Sequence, residues 1–135
     1  MSDLSVLDAS AVLAHLQEEK GRNRVEAALD ANPCLLSMVN LCEVLGKLCD
    51  KGMPLLEAQA AVDDLGLNII DFDKPLAGLA ACMKARTDAI GASLGDRACL
   101  ALAEQVIRAQ AAPVVLTAAK AWTRLKWPFK IVVIR

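Results

Sequence analysis

Residues 4–16 read Leu4-Ser5-Val6-Leu7-Asp8-Ala9-Ser10-Ala11-Val12-Leu13-Ala14-His15-Leu16: a short β-rich run cut off by an acid, then apolar residues at helical spacing. Val12, Leu13 and Leu16 recur on that helical pattern, and Glu18-Glu19-Lys20-Gly21 closes the segment. Moving outward, the same alternation repeats. A helix is predicted over 22–31, stopped by Asn32-Pro33, and a buried strand over 34–39. Leu41, Val44, Leu45 and Leu48 mark a helix over 40–51, ended by Gly52 with Pro54 beyond. A helix over 55–65 and a strand over 67–72 follow, and Asp73 caps a helix reaching Met83 or Arg86, with Pro75 in its first turn. After a polar loop over 87–95 come a helix from Asp96 to about Gln110, a strand over 113–117, a short helix over 120–125 and a strand over 131–134. The unbroken runs Val114-Val115-Leu116 and Ile131-Val132-Val133-Ile134 suit parallel strands covered on both faces. The expected class is α/β, a three-layer α/β/α sandwich around a mostly parallel sheet of about five strands.

The chain has 135 residues, one domain's length, and no linker, repeat or low-complexity tract divides it, so residues 1–135 are read as a single domain. Its 56% hydrophobic content excludes a disordered chain. Aromatic residues make up only 3%, with no Tyr and two Phe, which argues against a single-strand binder built on stacking platforms. A net charge of −1 provides no global basic field, so any polyanion must be held by a local patch or a metal. No apolar run approaches a membrane span, and Met1-Ser2-Asp3 is acidic, unlike a signal peptide. The five cysteines are odd in number and lack zinc-knuckle spacing. Within apolar patterns such as Leu41-Cys42 and Ala98-Cys99-Leu100 they are expected to pack as reduced, small hydrophobes, as in a cytoplasmic protein.

In an open parallel sheet, sites form beyond the carboxyl ends of the strands. Asp8 follows the first strand, Thr117-Ala118-Ala119-Lys120 follows the fourth, Asp96 opens the long helix, and Glu43 lies one turn into the helix after the second strand. Converging carboxylates repel in a dry cleft, and a bound divalent cation removes that penalty. Asp and Glu without His or Cys suit Mg²⁺ or Mn²⁺, which could polarise a phosphoryl oxygen and acidify a water for phosphodiester hydrolysis. Plainer roles compete with this at every position. Asp8 could simply cap the helix near Ser10, Glu43 could pair with Lys47 four residues on, and Ser93-x-x-Asp96 fits a capping box. His15 is expected to be a half-exposed structural residue. The loop Gly91-Ala92-Ser93-Leu94-Gly95 lacks both the dinucleotide fingerprint and the P-loop Lys-Ser/Thr, and Lys20, Arg22 and Arg24 fit a solvated helix end.

Four segments, taken together, resemble the PIN domain and in particular the VapC-type toxins of bacterial and archaeal toxin–antitoxin pairs. They are Val6-Leu7-Asp8-Ala9-Ser10-Ala11, Val39-Asn40-Leu41-Cys42-Glu43-Val44, the run from Ser93 to Ala103, and Val115-Leu116-Thr117-Ala118-Ala119-Lys120-Ala121-Trp122. The ordered match runs from about residue 4 to the C-terminus. The resemblance implies a metal-dependent endoribonuclease that cleaves tRNA or another structured RNA and stops translation. It also implies a homodimer and a cognate VapB-like antitoxin that plugs the acidic cleft. Carried over position by position, Asp8 and Asp96 would be the principal Mg²⁺ ligands (Mn²⁺ as the other candidate), and Glu43 would complete the catalytic acidic pocket. Ser10, Asn40 and Thr117 would be supporting hydrogen-bonders.

One position departs from the pattern. The family's closing motif usually reads Thr-Ala-Asp, whereas this chain has Thr117-Ala118-Ala119, so the fourth acid is missing. Either the acid was replaced deliberately, because an active toxin harms its host, or this is a natural variant of reduced or absent activity. The intact Thr117, Ala121 and Trp122 around it favour the first. Two other classes of function stand beside the nuclease: a non-catalytic PIN-like module that binds an antitoxin or RNA, and a small-molecule α/β domain using the loop from Gly91 to Gly95. The apolar residues of the first helices, of 41–48 and of Leu55-Leu56 suit either a partner groove or one shared core.

Overall fold

Parallel strands can be joined only by crossovers, and this chain supplies a helical connection between each successive pair. In the computed structural model, which describes residues 3–135, the strands are β1 (Asp3–Leu7), β2 (Cys34–Ser37), β3 (Asn68–Ile70), β4 (Ala112–Thr117) and β5 (Lys130–Val133). They form one sheet in the order β3-β2-β1-β4-β5, and every pairing is parallel. The helices are α1 (Ala9–Leu16), α2 (Arg22–Ala31), α3 (Met38–Asp50), α4 (Leu55–Asp63), α5 (Lys74–Cys82), α6 (Lys84–Thr87) and α7 (Leu94–Arg108), with 3-10 turns at Asp88–Ile90 and Lys120–Arg124. The expectation for Met1-Ser2 as a lead-in unlike a signal peptide lies outside the described residues. No helix among them is long and apolar enough to cross a membrane.

The sheet separates two layers, as the period of two along a strand requires. Leu7 and Leu116 pack with Val12, Val25, Val44 and Leu48 on one face, whereas Val6 and Val115 pack with Leu76, Leu100, Leu102 and Trp122 on the other. The α7 segment from Ala98 to Ala103 is buried all round, which suits its apolar sequence. The α/β/α expectation is met, and all the pairings are parallel.

Some boundaries differ. The strand expected over 34–39 stops at Ser37, whose hydroxyl accepts from Val39 N at 3.3 Å and caps α3, so Met38 and Val39 are helical. The apolar run Cys34-Leu35-Leu36-Ser37-Met38-Val39 hides that switch, because a buried strand and the first turn of a packed helix share one composition. The loop expected over 87–95 is largely helical: Thr87 ends α6, a 3-10 turn follows, and α7 begins at Leu94 rather than Asp96. The cysteines divide. Cys34 and Cys99 are buried, but Cys42, Cys49 and Cys82 are exposed, because Val44 and Leu48 occupy the inward face of α3 and leave Cys42 and Cys49 on its outer side.

Candidate active site

Strand order turns outward in both directions from the β1–β4 pair, which makes the carboxyl ends of these two strands the switch point where open α/β sheets leave a crevice. Asp8 stands there, immediately after β1, and is 5% exposed. Its Oδ1 accepts from Ser10 Oγ at 2.6 Å and from Ala11 N at 2.9 Å, and its Oδ2 accepts from Thr117 Oγ1 at 2.6 Å. The two hydroxyls are themselves oriented from the loop after β4. Ala118 N donates to Ser10 Oγ at 2.9 Å and Ala119 N to Thr117 Oγ1 at 3.0 Å. Asp8 is thus the helix cap that its position suggested and also the floor of a cleft. Ser10 and Thr117 are the hydrogen-bonders that hold it.

Glu43 and Asp96 reach the same cleft from α3 and α7. The cleft has a volume of about 390 Å³, and its walls include Asp8, Ser10, Asn40, Glu43, Asp96 and Ala119. Asn40, 1% exposed, donates from Nδ2 to Glu43 Oε1 at 2.8 Å and to Gly95 O at 3.0 Å, tying α3 to the start of α7. Gly95 allows that close approach, since a Cβ there would collide with the Glu43 carboxylate. The expected pairing of Glu43 with Lys47 is absent from the ion pairs among the described residues, and Asn40 holds the carboxylate instead. Asp96 completes a capping box, accepting from Ser93 N at 3.0 Å while Ser93 Oγ accepts from Asp96 N at 3.1 Å. The cap and the cleft again share one residue.

Burial pushes the Asp8 carboxyl above the usual carboxylate range, and the Asp96 charge adds to that, against the opposing hydrogen bonds from Ser10, Thr117 and Ala11. No ion pair among the described residues involves Asp8. A buried carboxylate without a cation, facing two more carboxylates, is a donor set of hard oxygens that suits a divalent ion. No three His, Cys, Asp or Glu side chains among the described residues close tightly enough to hold a metal by themselves. Mg²⁺ commonly takes one or two carboxylates and keeps several waters, so the open cleft fits such an ion. Ala119 sits in the wall, where it offers a methyl group and no oxygen.

Two further residues adjoin the cleft: Cys99, expected as a packed thiol, and Lys47, expected only as a partner for Glu43. Cys99, one turn beyond Asp96, is buried; burial first, and then the charges of Asp8, Asp96 and Glu43, push its thiol far up and keep it protonated. Lys47 is the one cation lining the cleft among the described residues; its signal in the sequence was its spacing from Glu43. His15 is half-buried on α1, as expected, and the loop from Gly91 to Gly95 contributes to the site through Ser93, which holds the Asp96 carboxylate, and through Gly95.

The chain belongs to the PIN domain family, whose model matches residues 5–127. PIN domains are typically nucleases. No curated protein sequence matches significantly. Among solved structures, the chain is similar to VapBC2 from Rickettsia felis bound to a promoter DNA fragment, with a TM-score of 0.67, 17% identity, and coverage of 96% of this chain and 97% of that one. It is similar to DNA-bound VapBC from Salmonella typhimurium, with a TM-score of 0.64, 15% identity and 96% of each chain covered. It is also similar to a toxin–antitoxin complex from Klebsiella pneumoniae, with a TM-score of 0.63, 20% identity, and coverage of 94% of this chain and 99% of that one. These likenesses extend the shared fold over nearly the whole chain.

Proposed function

We propose that this protein is a VapC-type toxin, a divalent-metal-dependent endoribonuclease that cuts tRNA or another structured RNA in the cytoplasm and is neutralised by a cognate VapB-like antitoxin. The observation that carries this reading is the convergence of Asp8, Glu43 and Asp96, from three separate elements, on one cleft at the switch point of a PIN fold. The toxin–antitoxin complexes among the structural neighbours support the partner. Residues 1–135 act as one domain, and the apolar groove of Met38, Leu41, Leu45 and Leu55 is consistent with a homodimer.

Asp8 and Asp96 would hold the ion, Mg²⁺ or alternatively Mn²⁺. When bound, it supplies charge that polarises a phosphoryl oxygen and lowers the pKa of a water. Ser10 and Thr117 fix both oxygens of Asp8, so no rotamer search is needed when substrate arrives. Asn40 holds Glu43 at the rim, where its carboxylate positions the attacking water. With Ala119 the cleft has one negative group fewer than the family's usual four, which weakens its attraction for cations. Reduced cleavage with a retained fold is expected, because Ala119 is only half-buried, in the cleft wall at the margin of the second core layer.

A second reading, a non-catalytic module that binds an antitoxin or RNA, is favoured specifically by Ala119. RNA cleavage assays in Mg²⁺ and in EDTA separate the two. The Ala119→Asp form should cleave at least tenfold faster than the parent, and adding Asp8→Asn or Asp96→Asn should abolish that gain. Equal rates for Ala119→Asp and the parent would show that position 119 is not part of the machinery. An Ala119→Asp form that cleaves no RNA would leave the binding module.

A further inference from the structure

We infer that Lys47 and Lys51 form a phosphate track along α3 that holds the RNA strand flanking the cut; this rests on the nuclease reading above. The acidic cleft does not end at its own rim. A second cleft, of about 320 Å³, adjoins it, and the two share Ser10, Leu13, Lys47 and Ala118 as walls. The second cleft is completed by Gln17, Glu19, Lys51 and Arg135. Glu43, Lys47 and Lys51 follow one another at intervals of four residues, so they lie on one stripe of α3 and its cap, with an axial step of about 6 Å. That step is comparable to one nucleotide of an extended strand. The stripe therefore runs from the acid that faces the scissile phosphate to two cations that face its neighbours.

The two lysine charges along this groove are not taken up by ion pairs among the described residues. Glu19 takes up Arg135 at 3.5 Å, whereas neither Lys47 nor Lys51 enters an ion pair among the described residues. Both are exposed, so their ammonium groups can meet phosphate without prior desolvation. A chain of net charge −1 with 3% aromatic residues has no global field and few rings on which to stack bases, so a local pair of lysines is the economical means of holding a polyanion. Binding through phosphates fixes the strand's register at the cleft and reads no sequence.

The test is the salt dependence of binding a labelled single-stranded RNA of mixed sequence in EDTA, followed by cleavage in Mg²⁺ with Ala119→Asp present. Each phosphate contact to a single strand contributes about 0.7 to the slope of log affinity against log salt. Lys47→Gln and Lys51→Gln should each flatten the slope by about that amount, and together should weaken binding about tenfold at low salt. Lys130→Gln, at the amino edge of the sheet, removes the same charge and should leave binding unchanged. Unaltered binding in the Lys47 and Lys51 variants, or equal weakening in all three, would overturn the track while cleavage by the Ala119→Asp form still upheld the nuclease. Absence of both binding and cleavage in the Ala119→Asp form itself would remove the underlying reading and the track with it.

Discussion

Asp8 is held by two hydroxyls and one amide and, among the described residues, by no cation, so its negative charge is desolvated without being neutralised. Its folded-state pKa is raised, mainly by burial. In the pH range just above the ordinary carboxylate value, the folded chain therefore binds more protons at this site than the unfolded chain. The stabilising contribution is present at low pH and is lost as pH rises through the raised pKa. Asp8→Asn should remove this slope and, in EDTA at neutral pH, melt at a higher temperature than the parent. Saturating Mg²⁺ should reverse the order, stabilising the parent by roughly 2.7 kcal/mol at a hundredfold excess over Kd and the variant not at all. Melting curves across pH, with and without Mg²⁺, check both parts; a parent that outlasts Asp8→Asn in EDTA contradicts them. The sequence showed Asp8, Glu43 and Asp96 because each is an acid beside the end of a predicted strand or at the start of a predicted helix. It did not show that Asn40 rather than Lys47 holds Glu43, because a residue three positions before and one four positions after are equally good neighbours on a helix.

The first turn of α7 joins a capping box to an acid of the cleft in one residue, Asp96, and places a glycine directly before it. Gly95 is poor for the helix but leaves space for the Glu43 carboxylate across the gap from α3. Gly95→Ala should change thermal stability by less than about 1 kcal/mol, the gain in helix propensity being offset by the displaced Asn40–Glu43 hydrogen bond. In the Ala119→Asp background it should slow RNA cleavage about tenfold by displacing Glu43, since small misplacements are costly in catalysis. Unfolding measurements beside cleavage rates test the split; a variant that loses stability and activity in proportion would mean that Gly95 serves packing alone. The boundary between β2 and α3 was the element least legible in the sequence. Ser37, in an apolar run, reads as a strand residue, and its role as cap emerges only once Val39 N is seen to donate to it.

At the scale of the molecule, alternation of strand and helix sufficed for the α/β/α class, because each buried strand needs a covering layer. The order β3-β2-β1-β4-β5 did not follow from local pattern. It depends on which way each crossover turns, and no residue encodes that by itself. That order brings residues 8, 43 and 96 to one crevice and spreads the core on both faces of the sheet. Anomalous diffraction from crystals grown with Mn²⁺ tests the gathered acids most directly. The predicted result is a single manganese peak in the cleft bounded by Asp8, Glu43 and Asp96, lost in Asp8→Asn. A cleft without manganese at saturating concentration, or a peak that survives Asp8→Asn unchanged, would contradict it.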